Sequence, residues 1–551
     1  MVTKTLEHEG LALRQYRWLA RSKPILLLLT AWGLSYAGDL AAFTAASVYA
    51  YRAGGTGLVA VLGLLKALPG AFLVPAVTSG SDRVRRERLL IATVVPRVLL
   101  LGVAAAAMTG GGQGVLVVVL AGLEGGLASA FRQVQAALLP WLARTPDELT
   151  SANAAASVLQ SAAMVGGPVI AAGLLAIGSA QSAMLAACGL VAVAAVLLTG
   201  VRPLSSGAPA QATGRLKQFK LDMVAGFDAG VRRRDAMALF VPAAAQTFAR
   251  GVLNVLTVVI ALELFDLGSA AVGWLTALLG VGGLLVGPLA VLLVRGQRVA
   301  RSFAGGVAGW GVPMILLAFA HAPYWPYLMF GLIGVANVFD DVGVYSSLQQ
   351  VIPPRLMGRA LGVRRGVLLL SMGLGSAVTP LLIQAWGTRG TLIATGLLVV
   401  VLSAAFLPRL TAIDGRISAP GPDLALLRQV SFFHPLPFAI VEHLTSELQS
   451  ATYKTGDVII TDGEPGERFY IIAEGRACAS KDGEQLREMG AGESFGEIAL
   501  LRRIPRTATV TALSLLEART LTREEFLAAV TGNPESVESA EEVVSTRLQA
   551  G

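Results

Sequence analysis

A chain of 551 residues that is 54% hydrophobic and only 15% charged, with mean hydropathy +0.65, is too apolar to be soluble throughout and too long to be one domain. Its net charge of +8 and pI near 9.7 admit two explanations, nucleic-acid binding or membrane topology, and the placement of the basic residues decides between them. Cys188 and Cys478 suggest no disulfide or metal site, and His8, His321, His434 and His443 form no metal or triad spacing. With no Walker loop or nucleophile elbow either, the sequence argues against an enzyme and against a metal cofactor.

Residues 1–23 place Arg14, Arg17, Arg21 and Lys23 around Leu11, Leu13, Trp18 and Leu19, without the order of a signal peptide, and read as an interfacial arm. Apolar segments long enough to cross a ~30 Å hydrocarbon core then recur. They fall at about 25–51, 57–78, 89–109, 114–134, 155–177 and 180–200, and again at 237–262, 271–294, 302–320, 325–347, 366–386 and 390–408. Twelve spans put both termini on one side. The arm, Arg83, Arg85, Arg86 and Arg88, Arg144, Arg215 with Lys217, Lys220 and Arg232 to Arg234, Arg295, Arg298 and Arg301, and Arg355 with Arg359 all fall on that side, against Arg52 and Arg389 opposite. The positive-inside bias makes that side cytoplasmic and accounts for the basic pI without nucleic acid. The expected setting is a multi-pass protein of the plasma (inner) membrane.

A weak repeat runs through the spans: Gly122-Leu123 with Gly125 in the fourth recurs as Gly331-Leu332 with Gly334 in the tenth. This supports two six-helix halves, 24–200 and 237–408, joined by a basic cytoplasmic loop over 201–236. Ionisable groups inside spans cost about 2.5 to 3.5 kcal/mol each on insertion scales, so those present are functional candidates: Asp39, Lys66, Arg97, Glu124, Arg250, Asp340 and Asp341. The alternative is that Asp39 and Glu124 are satisfied by Lys66 or Arg97 in structural ion pairs. In the seventh span Gln246, Arg250 and Asn254 are spaced i, i+4, i+8 and share one helical face, which in lipid should line a water-filled cavity. Arg250 there suits an anionic headgroup or carboxylate, with Asp39, Glu124, Asp340 and Asp341 as proton carriers.

After Pro408, a linker over 409–423 contains Asp414-Gly415 and Ala419-Pro420-Gly421-Pro422. Residues 424–551 change character: helical spacing over 424–450, short β-type runs with many glycines over 456–521, then helix again with Glu535, Glu538, Glu541 and Glu542. That is a small β-roll flanked by helices. Phe495-Gly496-Glu497-Ile498-Ala499-Leu500-Leu501, followed by Pro505-Arg506-Thr507-Ala508, combines a carboxylate, free backbone donors between small residues, and an arginine.

This segment, with the turns Gly456-Asp457 and Gly463-Glu464-Pro465-Gly466-Glu467 before it, resembles the cyclic-nucleotide-binding domain family. The resemblance implies that Glu497 takes the ribose 2′-hydroxyl and Arg506 the cyclic phosphate. Backbone N–H groups around Gly496, Ala499 and Leu500 would complete the cradle, the Thr507 hydroxyl could reach a guanine amino group, and Ile498 and Ala508 belong to the same binding segment. It leans toward cAMP, with cGMP possible.

Residues 24–408 resemble the major facilitator superfamily. Ser81-Asp82-Arg83-Val84-Arg85-Arg86 is similar to the family's loop after the second span, which implies a conformational latch of Asp82, Arg83 and Arg86. Gly166-Gly167-Pro168 with Gly173 is similar to the signature of proton antiporters that export drugs, though Ala171 and Ala172 stand where glycines are usual. The expected fold is an all-α twelve-helix membrane bundle, six plus six, with a C-terminal β-roll plus helices. The expected function is proton-coupled export of an amphipathic small molecule or lipid, regulated by a cyclic nucleotide. In the family the tail resembles, ligand moves the final helix. The alternative is a membrane receptor that no longer transports and displays the sensor.

Overall fold

Backbone inside a bilayer must pair its own N–H and C=O groups, and the apolar part of this chain does so as helix. The computed structural model describes residues 22–80, 86–110, 113–142, 146–201, 234–293, 299–351, 354–418, 422–436, 438–531 and 534–549. Before the tail these form α1 (Lys23–Gly80), α2 (Arg86–Ala107), α3 (Gly114–Leu142), α4 (Pro146–Ile177) and α5 (Ala180–Thr199). Then come α6 (Arg234–Val259, continued by a π turn over Ile260–Leu264), α7 (Ser269–Leu293), α8 (Val299–Phe319), α9 (Trp325–Val351) and α10 (Pro354–Ser418). Among the described residues, nine of these helices are long and apolar enough to cross a membrane, and α9 adds the apolar stretch Trp325–Phe339.

Two of the ten are double. Gly55 at φ 64° breaks α1 and Gly387 at φ 67° breaks α10, each turning the chain in the left-handed region where a Cβ is disfavoured, so each helix reverses without a loop. Counted this way the ten helices supply twelve spans. The breaks expected at about 52–56 and 387–389 are therefore single kinks. The tail of α10 differs from expectation more: the stretch from Arg409 to Ser418, read as linker, is helical, and the chain divides into two compact units between Gly415 and Arg416.

The glycine repeat has a packing cause. A Cβ on Gly125 would lie 2.5 Å from Lys66 Cγ, and one on Gly334 would lie 2.5 Å from Leu279 O. The fourth span thus packs on the second as the tenth packs on the eighth, at matching places in the two halves. Between the halves, α4 meets α7, where a Cβ on Gly273 would lie 2.6 Å from Pro168 O. The second part of α1 meets α10, where Gly63 approaches Ser376. Within the second half Ser376 Oγ donates to Gly251 O at 2.9 Å, which joins α10 to α6. Small residues allow this approach, which suits association by close packing in lipid.

The C-terminal unit comprises α11 (Pro422–Gln429), α12 (Phe438–Glu447), eight strands, α13 (Glu497–Arg502), α14 (Arg523–Thr531) and α15 (Pro534–Gln549). The strands are β1 (Gln449–Tyr453), β2 (Val458–Ile460), β3 (Arg468–Glu474), β4 (Ala477–Lys481), β5 (Glu484–Met489), β6 (Ser494–Phe495), β7 (Thr509–Ala512) and β8 (Leu516–Thr522). They pair antiparallel in two sheets, β1-β8-β3-β6 and β2-β7-β4-β5. Alternation along β3 builds two cores at once. Phe469 and Ile471 pack with Phe432, Phe433 and Phe526 from the helices, while Tyr470 and Ile472 pack between the sheets with Phe495 and Val510. This is the expected β-roll with helices.

Candidate functional site

In the tail, β6 delivers the chain to Gly496, whose φ of 89° demands glycine and where a Cβ would lie 2.6 Å from Arg506 Nη1. That close approach lets Arg506 donate to Gly496 O and to Arg468 O, both at 2.7 Å. The guanidinium is thereby fixed with the residue 7% exposed, and among the described residues no carboxylate lies within ion-pair distance of it. Burial pulls its pKa below the usual arginine value, which Tyr470, Glu497 and Glu464 partly offset. A buried cation without a counter-ion favours an anionic ligand.

Glu497 opens α13 and is 1% exposed. Its Oε1 accepts from Arg547 Nη1 at 2.6 Å, and the same Nη1 donates to Ser494 O at 2.9 Å. Its Oε2 is buried without a hydrogen-bond partner, an acceptor ready for a hydroxyl. These groups line one cavity of about 530 Å3 together with Gly496, Ile498, Ala499, Thr507 and Ala508. Leu500, expected to contribute its backbone N–H, has its side chain fully buried in the core beside Phe469 and Phe526. Arg547 is the residue sequence reading missed. Its signal was a lone arginine near the end of a helix otherwise bearing exposed acids such as Glu538, Glu541 and Glu542.

In the membrane unit a cavity of about 240 Å3 opens between the halves. The seventh-span stripe of Gln246, Arg250 and Asn254 lines it, as expected from their spacing. Asp39 lines it too and is 2% exposed: its Oδ1 accepts from Lys66 Nζ at 2.8 Å and its Oδ2 from Arg132 Nη1 at 3.1 Å. Arg132 went unread because it lies in α3 near the end of a span, where basic residues are ordinary.

Glu124 is placed differently. At 1% exposed it pairs with Arg97 Nη2 at 2.7 Å, and Arg97 also donates to Ser35 Oγ at 2.5 Å, so α1, α2 and α3 are tied by a cluster outside the cavity lining. Here the structural ion pair is what the chain contains. Asp340 and Asp341 lie on α9 but their side chains fall outside the described residues. Asp82 and Arg83 of the latch are outside them altogether, and Arg86 begins α2 with its side chain undescribed. Among the described residues no three His, Cys, Asp or Glu side chains cluster as metal ligands would.

Comparison with known proteins gives both units a family. A profile described as Major Facilitator Superfamily matches residues 67–364, more than half of the chain. The chain belongs to this superfamily. A solved POT family transporter in complex with a thioalcohol-conjugated peptide matches at TM-score 0.57, covering 71% of this chain and 96% of its own. At 16% identity that likeness speaks for the fold alone.

The superfamily member also carries a cyclic nucleotide-binding domain, whose profile matches residues 451–533. A cAMP-dependent protein kinase regulatory subunit of Debaryomyces hansenii is 43% identical over 84 residues, 15% of this chain and 19% of its own length. Another, of Yarrowia lipolytica, is 31% identical over 167 residues, 30% of this chain and 44% of its own. The chain thus spans less than half the length of these relatives.

Proposed function

We propose that this superfamily member is a proton-coupled secondary transporter that exports a small molecule, with a cyclic nucleotide, preferably cAMP, setting its activity from the C-terminal domain. The observation that carries the reading is the cavity between the halves, where a carboxylate with two cationic partners faces a polar stripe across otherwise apolar helices. An ionisable group kept in lipid is costly unless it serves transport or is structurally paired. Asp39 borders the cavity and Glu124 does not, which makes Asp39 the preferred proton carrier. The basic loops support both termini being cytoplasmic in an inner-membrane protein, where the nucleotide domain would meet cytosolic cAMP.

Arg506 supports phosphate recognition, Glu497 Oε2 supports recognition of the ribose hydroxyl, and similarity to cAMP-dependent protein kinase regulatory subunits supports cAMP. The full-length protein in proteoliposomes, under an imposed pH gradient, tests the proposal. Substrate-dependent proton flux that changes with cAMP in wild type, loses its pH dependence in Asp39→Asn and loses its cAMP response in Arg506→Ala is expected. Nucleotide binding with no solute movement across a panel of anions, cations and neutral amphipaths would leave a receptor instead.

A further inference from the structure

Three of the cations that line the membrane cavity each stand against an aromatic face. Lys66 Nζ is 4.5 Å from the centre of Phe43, while the guanidinium carbons of Arg132 and Arg250 are each 5.4 Å from Tyr36 and Trp310 respectively. A ring stabilises a cation without neutralising it and leaves a guanidinium's in-plane N–H groups able to donate. Lys66 and Arg132 share the single carboxylate of Asp39. Among the described residues no carboxylate lies within ion-pair distance of Arg250, so Lys66, Arg132 and Arg250 set three positive charges against the one negative charge of Asp39.

The hydrogen-bond inventory has the same sign. Gln246 Nε2, on a residue 4% exposed, and Trp310 Nε1 are buried donors at the cavity without acceptors. Gln246 stands one helical turn from Arg250 on α6, and Trp310 is the ring beneath Arg250, so both spare donors adjoin that guanidinium. A cation or a neutral donor would leave this set unsatisfied, whereas an oxygen-rich anion offers it acceptors.

We infer that the membrane unit takes a small organic oxyanion, a carboxylate or phosphate-type group docked on Arg250 with Gln246 and Trp310. The inference rests on the transporter reading only in making that anion the substrate. The volume of about 240 Å3 limits its size, since sites for drug-sized ligands run to roughly 300–1,000 Å3. This narrows the expected amphipath or lipid to a compact anion.

Thermal unfolding of the full-length protein in nanodiscs of purely zwitterionic lipid tests the site. The ligands are short mono- and dicarboxylates, phosphate monoesters, and cationic and neutral compounds of equal size. Stabilisation by oxyanions, with apparent affinity weakened ~10- to 100-fold in Arg250→Gln and partly restored in Arg250→Lys, is the expected result. A ligand-free unfolding midpoint of the membrane unit close to wild type in both variants shows that they are folded. Stabilisation only when anionic lipid is added, again lost in Arg250→Gln, keeps the oxyanion site and makes a headgroup its source.

Stabilisation by cations or neutral compounds alone, an anion effect unchanged in Arg250→Gln, or no anion effect at all overturns the inference. Counterflow in proteoliposomes separates it from the transporter reading. Anions bound but not moved keep the site and sink transport, while movement of a cation with no anion bound does the reverse.

Discussion

Glu497 uses its two oxygens for different partners: Oε1 holds Arg547 and Oε2 is unpartnered at the cavity. A ribose hydroxyl can therefore be accepted at Oε2 without displacing Arg547 from Oε1. Glu497→Gln is expected to weaken cAMP binding by about 1 to 3 kcal/mol while changing binding of the 2′-deoxy analogue much less. Calorimetry showing equal losses for both ligands would remove the hydroxyl from Glu497.

Arg506→Ala should cost about 1.5 to 3 kcal/mol in the same titration, the scale of a hydrogen bond to a charged group, and unaltered affinity would remove the phosphate from Arg506. Arg547→Ala should leave a buried carboxylate unpaired and cost affinity as well, read as a lower cAMP-induced rise in Tm. Gly496, Glu497 and Arg506 were legible because eleven consecutive residues of sequence carry them. Arg547 was not, because its contact spans 50 residues and depends on where a helix from outside the cassette returns. Leu500 was read for its backbone N–H, and the burial of its side chain in the core leaves that reading open.

At the scale of elements, composition was enough for the count of spans but not for how they join. Hydropathy sees the polar or small residues near 52–56 and 387–389 as gaps, whereas the helix is interrupted only at Gly54-Gly55 and at Gly387. The helix through Ser418 was hidden by Asp414-Gly415, which reads as a turn when neighbouring turns are unseen. Packing glycines were visible only as a faint repeat.

Gly375 faces Phe248 O so closely that a Cβ would lie 2.1 Å from it, whereas a Cβ on Gly305 would meet nothing within 4 Å. Gly375→Ala is therefore expected to force α6 and α10 apart and destabilise by about 1 to 3 kcal/mol, the range of an overpacked core. Gly305→Ala should be neutral or gain up to about 1 kcal/mol from helix propensity. Thermal unfolding in nanodiscs checks the pair, and equal shifts for both substitutions would refute the close approach.

At the scale of the molecule, sequence alone offered membrane topology as the reason for the net positive charge, yet the balance inside the cavity was not legible, since Arg132 near the end of a span went unread. Once Arg132 joins Lys66 on Asp39, proton carriage depends on that carboxylate being released, so Asp39→Asn should abolish pH dependence while leaving cAMP affinity unchanged. Regulation is a separate claim, and it has a thermodynamic form that needs no geometry between the two units. If cAMP shifts the transporter between states that bind the cavity anion unequally, linkage requires that the anion change cAMP affinity by the same factor, about 5- to 150-fold for a coupling of about 1 to 3 kcal/mol. The measurement is cAMP titration of the full-length protein in nanodiscs, with and without a saturating concentration of whichever oxyanion stabilises it best. Arg250→Gln, blind to the anion, should show a single cAMP affinity under both conditions. A wild type that also shows a single affinity has two energetically independent units, and its nucleotide domain regulates something other than occupancy of this cavity.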